Sequence, residues 1–234
     1  MKKNKHFIYK IYRQKTIKRI QSKMKLLGNN PKYDEATFLN TRLILAILLF
    51  LALLIFSKHG FILAPILTIM FWIFCETFIL DIPIKKRAKK LEEESIFFFE
   101  VLVLTLDSSR NLKGALELTT QNIDSELSNE FKKTLEEVKL GKSFTESLET
   151  MKERIPSDTI KNIILNLTES SIFGNSITDS LNNQLDYLRD KKMLEIKAEI
   201  AKLPTKISVL SVVFFIPIML LIILAPVLVE FLIG

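Results

Sequence analysis

The sequence predicts an all-α membrane protein with about three transmembrane helices and a cytoplasmic bundle of about six helices. Three observations predict that class. Apolar residues make up 48% of the chain and gather into runs at 43–56, 61–80 and 207–234, and a bilayer-spanning helix needs about 20 apolar residues. Between the second and third runs the apolar residues recur with a period near 3.6, with little strand signal. Lys and Arg crowd the flanks of the runs, where basic residues fix the orientation of a membrane helix.

Residues 1–40 read as a basic cytoplasmic N-terminal arm. Up to residue 42 the only acids are Asp34 and Glu35. A weak helical stripe runs through Phe7, Ile11, Ile17, Ile20, Met24 and Leu27. Two readings of it stay open. The arm lies on an anionic leaflet, where each base contributes about 1 kcal/mol, or it is a solvated tail that only sets topology. Positive-inside bias accounts for the net charge of +7, so no nucleic-acid partner is expected. A cleavable signal peptide is not expected either, because the first apolar run follows an extended basic segment rather than a short one.

Residues 41–82 read as a transmembrane helical hairpin. The first run is short, but extension through Phe38 and Leu39, with Arg42 snorkelling to the interface, makes it long enough. Ser57, Lys58, His59 and Gly60 form the turn. Glu76 lies inside the second run, and an ionisable group within a membrane helix is a functional candidate. It stands about one turn from Asp81, which favours an interfacial carboxylate. Cys75 is the one cysteine, so there is no disulfide framework and no cysteine-based metal site.

A basic collar follows: Lys85, Lys86, Arg87, Lys89 and Lys90. It is a candidate partner-binding surface, or a topology signal alone. Residues 83–205 form the cytoplasmic helical domain. Helical stripes are legible at 96–106, 112–118, 127–138, 144–151, 160–167 and from 177 onward, and the last run, 206–234, is the C-terminal transmembrane helix with Pro217 and Pro226 inside it. The charges then place the N-terminus inside, 57–60 outside, 85–206 inside and the C-terminus outside.

An octapeptide occurs twice, as Gly141-Lys142-Ser143-Phe144-Thr145-Glu146-Ser147-Leu148 and Gly174-Asn175-Ser176-Ile177-Thr178-Asp179-Ser180-Leu181. Each copy is a helix-start device. Gly141 or Gly174 ends one helix by tolerating positive φ. Ser143 or Ser176 caps the next, and Glu146 or Asp179 returns a bond to the cap. Gly141-Lys142-Ser143 is not a phosphate loop, because that loop needs its first glycine where Glu136 stands, and a strand before it where the periodicity predicts helix.

No catalytic residue, metal site or cofactor is assigned, and the chain is not expected to be an enzyme. His6 and His59 fall on opposite sides of the predicted membrane. The acids at Glu92, Glu93, Glu94, Glu136 and Glu137 read as solvated helix faces, and the serines lack a partner base.

The order of features resembles the type II secretion system F domain family, the inner-membrane platform proteins of type II secretion, type IV pili and tight-adherence (Tad) pili. The features are a basic-flanked hairpin, Phe99-Glu100-Val101-Leu102-Val103-Leu104 leading into Leu112-Lys113-Gly114-Ala115-Leu116, then the first octapeptide, the Pro156 break, and the segment from Leu167 through Glu169 to Ile177. The resemblance covers residues 90–234. It implies an inner-membrane platform that couples a hexameric secretion ATPase to pilin assembly. The partners it implies are that ATPase, pilin subunits, and a second platform protein or a second copy. A single F domain is most like the tight-adherence branch. In two-domain relatives a metal has been associated with a domain carboxylate; Glu169 occupies the similar position, and no metal is assigned to it. The alternative reading is a membrane-anchored helical signalling or transporter subunit. It fits less well, because the external segments are short and Glu76 is the one ionisable candidate at membrane depth.

Overall fold

A computed structural model describes residues 14–28, 35–56, 60–109, 111–173 and 177–233, and among them there are helices joined by short turns and irregular links, with no strand. The chain divides into two compact units, Met1–Gln184 and Leu185–Gly234.

The first unit begins with helix α1 (Gln14–Lys25), which carries bases but no acid in its first turn and buries Ile17, Ile20 and Met24. Helices α2 (Glu35–Phe56) and α3 (Gly60–Glu76) pack together as a hairpin. Their apolar side chains are largely exposed, Ile55 at 77% and Phe61 at 88%, as suits helices whose solvent is lipid. The stripe on α1 is covered by the protein's own hairpin: Ile17, Ile20 and Met24 form one cluster with Phe38, Leu39 and Leu80. Within α1, then, the apolar face of the stripe meets protein, while Lys15, Lys18 and Arg19 on its other side are exposed. Phe7 and Ile11 lie outside the described residues.

The chain stays helical from α3 through a π-helical turn, Thr77–Asp81, into α4 (Ile82–Ser108). Pro83 accounts for the wide turn. It has no N–H to give the carbonyl four residues back, and its ring would strike that carbonyl in a regular helix. The amide of Ile82 instead bonds the Thr77 carbonyl. At about 1.5 Å per residue, the continuous 48-residue stretch 61–108 carries the chain from the hairpin far into the bundle.

The bundle packs α4 against α5 (Leu112–Asn122), α6 (Glu126–Lys139) and α8 (Asp158–Phe173), with α7 (Phe144–Arg154) between α6 and α8. Its centre is aromatic. Phe98 stacks on Phe131 with centroids 4.9 Å apart, and Phe99 meets both edge-on, the arrangements that ring quadrupoles favour. Leu102, Leu116, Leu127, Leu148, Met151 and Ile163 close the core around them.

Helix starts follow local chemistry. Asn111 accepts from the Gly114 amide, Ser125 from Ser128, and Ser143 from Glu146, each satisfying an otherwise orphaned amide. Gly141, at φ 102°, ends α6 and bonds the Val138 carbonyl. In the second octapeptide Gly174 and Ser176 lie outside the described residues, and Asp179 stands in the first turn of α9 (Ile177–Ala201).

The second unit holds the later part of α9 and helix α10 (Leu203–Ile233). Pro204 sits in the first turn of α10, where a missing N–H costs nothing. Pro217 and Pro226 lie within the helix. The apolar window of this stretch has a mean hydropathy of 3.0 and none of it is buried.

Candidate functional site

Two ionic centres flank the π-helical turn, one on the membrane side and one on the bundle side. The first is built around Glu76, the last residue of α3, whose side chain is 14% exposed. Arg19 of α1 pairs with it, Lys23 Nζ reaches it at 2.9 Å, and Arg42 approaches at 3.5 Å. Lys23 also holds Asp81 at 2.7 Å. Burial disfavours the Lys23 ammonium, but hydrogen bonds and charges from Asp81 and Glu76 outweigh it and raise its pKa. A carboxylate at the membrane edge must be paired to stay charged, and here α1 supplies two of the three bases.

Arg42 departs from the snorkelling expectation. Its side chain is 2% exposed. It donates to the Trp72 carbonyl at 2.7 Å, and its guanidinium lies 4.0 Å from the Trp72 ring centroid. Glu76 and the indole give it partners inside the hairpin, so it need not reach for water.

The second centre is Arg87. Its Nε donates to Glu126 at 2.5 Å and its Nη2 to Glu130 at 2.9 Å. Nη1 donates to two backbone carbonyls, Leu26 at 2.8 Å and Arg154 at 2.7 Å. These carbonyls lie where α1 and α7 end, and unsatisfied carbonyls at helix C-termini attract cations. Arg154 extends the network to Glu130 and Glu137, at 2.9 and 2.8 Å. Burial pushes the Glu126 carboxyl up, but Arg87 and Lys90 outweigh it and hold its pKa low; Lys142 and Arg154 do the same for Glu137. Gly28 makes room for the arrangement: its φ is 91°, and a Cβ there would stand 2.9 Å from Arg87 Nε.

The basic collar is therefore split. Lys85, Lys86 and Lys89 are exposed, and Lys90 is exposed beside Glu94 and Glu126. Arg87 faces inward, because the α6 carboxylates and two helix-end carbonyls converge on it. Several acids read as solvated faces are likewise engaged: Glu94 accepts from the Leu127 amide, Glu92 from Ser157, and Glu137 pairs with Lys142 and Arg154. Sequence reasoning missed Glu126, Glu130 and Arg154. The available signal was Glu130 itself, which falls on the buried arc of α6 between Leu127 and Phe131.

Glu169 is exposed on α8. Among the described residues no group of three or more His, Cys, Asp or Glu could hold a metal ion. His6 and His59 lie outside the described residues.

Apolar helices long enough to cross a bilayer, a helical bundle and ion pairs committed to packing define a membrane-anchored helical scaffold. Residues 98–225, more than half of the chain, match the family described as Type II secretion system (T2SS), protein F. The chain belongs to that family, one of non-catalytic membrane platform proteins of secretion and pilus machinery. No curated protein and no solved structure matches the chain.

Proposed function

We propose that this chain is the inner-membrane platform of a tight-adherence-like pilus or type II secretion machine, coupling a hexameric secretion ATPase to the assembly of pilin subunits. The observation that carries the reading is the family match, which runs from the bundle core at Phe98 into the last apolar helix. A platform needs a surface for its motor and an anchor in the bilayer. The exposed Lys85, Lys86 and Lys89 and an open basin of about 540 Å³ on α6, lined by Glu126, Asn129, Lys132 and Lys133 among others, form the proposed docking face. The N-terminus and bundle are cytoplasmic and the C-terminus lies outside. The charge asymmetry supports that orientation, as does α1, which packs at the end of the hairpin from which α4 departs. The platform works with a second platform protein or a second copy of itself. Deleting the chain removes surface pili or the secreted substrate, and supplying it in trans restores them; unchanged piliation and secretion in the deletion strain contradicts the reading.

A further inference from the structure

Between α2 and the end of α3, an apolar groove of about 200 Å³ is lined by Phe38, Thr41, Arg42, Leu45, Cys75 and Ile79. Phe38, Thr41, Arg42 and Leu45 recur at the spacing of one helix face, and Thr41 and Arg42 bring the main polar groups. Arg42 is anchored by Trp72 and Glu76, yet its Nε is buried without a hydrogen-bond partner. Leu45 and Ile79 remain 46% and 43% exposed, so the groove opens on the side that faces lipid.

The surroundings select the occupant. Phe38 also belongs to the cluster that seats α1, so the groove ends against a helix with five bases: Lys23 and Lys25 are paired with Glu76, Asp81 and Glu153, Arg19 meets Glu76 through one nitrogen only, and Lys15 and Lys18 complete the set. Lys15, Lys18 and Arg19 are exposed. An apolar slot at membrane depth with a cationic rim matches a molecule with a hydrocarbon chain and an anionic head. A free phosphate would leave the slot empty, and an apolar helix would leave the rim unmatched.

We propose that the groove holds one acyl chain of an anionic phospholipid, with its phosphate on Arg19 and the Thr41 hydroxyl. The bound lipid wedges α1 against the hairpin and makes the seating of α1 depend on leaflet charge. The inference rests on the reading that the hairpin spans the bilayer.

Trp72, the one tryptophan in the chain, lies against Arg42 and reports on the groove. The full chain is reconstituted in phosphatidylcholine nanodiscs carrying rising fractions of acyl-brominated phosphatidylglycerol or acyl-brominated phosphatidylcholine. Half-maximal quenching of Trp72 is expected at a fraction of phosphatidylglycerol about fivefold lower, the value of one base near an anionic surface. Arg19→Gln, with its side chain already 62% exposed, brings the two curves together. Thr41→Phe fills the groove and removes the early quenching while circular dichroism stays unchanged. Should either variant fail to fold, the comparison of the two lipids on the wild-type chain decides alone. Coincident wild-type curves overturn the proposal, as does a preference that survives Thr41→Phe or is abolished by soluble glycerol phosphate. Early quenching confined to discs holding a single copy would place a second chain in the groove and overturn it too. Absence of quenching by either lipid at any fraction would instead show that the hairpin is outside the bilayer, and the platform reading would fall with it.

Discussion

A guanidinium that is 6% exposed and bonded to two carboxylates and two backbone carbonyls takes the donor from both carbonyls when it is removed, and leaves Glu126 to Lys90 and the buried Glu130 to Arg154 and Lys133. Breaking a buried pair from one side costs about 3–5 kcal/mol. Arg87→Met is therefore expected to lower the thermal midpoint of the purified chain sharply. Lys85→Ala, two residues away and exposed, should stay within about 0.5 kcal/mol of the parent. Equal midpoints for the two variants would show that Arg87 is only a surface base. The sequence grouped the two together, since a run of bases does not say which member turns inward. Glu126, Glu130 and Arg154 lie far along the chain from Arg87 and are brought to it only by packing. Glu76 was legible as the ionisable residue of the second apolar run. Its partners on α1 were not, because nothing in a basic arm names the acid it will meet.

At the scale of elements, the helices of the bundle were legible because period and punctuation agree. The stripe 127–138 and the Gly141 stop match α6 (Glu126–Lys139), and Ser143 opens α7. The seating of α1 was not legible, since an amphipathic basic helix suits a leaflet as well as a protein groove. The π-helical turn was also unread, although Pro83 just after the apolar run was its signal. Gly28 ties α1 to the rest: a side chain there is strained by the positive φ and crowds Arg87, a cost of about 1–3 kcal/mol. In Gly28→Ala, α1 is expected to release from the bundle. Limited proteolysis then cuts near residue 28 earlier than in the parent while the bundle fragment persists. Identical digestion of the two proteins would show that α1 is held without the Gly28–Arg87 approach.

Across the molecule, the three long apolar helices among the described residues and a helical bundle make an all-α membrane protein, and both were visible in the distribution of apolar residues. The proposed orientation rests on charge: bases precede the hairpin and follow it, and none lies in 207–234. A reporter that folds only outside the cytoplasm is expected to be active when fused after residue 234 and silent when fused after residue 206; the reverse pattern would invert the topology. Under the proposed function this chain performs mechanical coupling for a motor on another polypeptide. Its most direct measurement is affinity purification of the chain after gentle detergent extraction, with the copurifying proteins identified. A hexameric secretion ATPase is expected in the eluate, reduced when Lys85, Lys86 and Lys89 are changed to Glu. A chain that elutes from wild-type membranes without such an ATPase would contradict it.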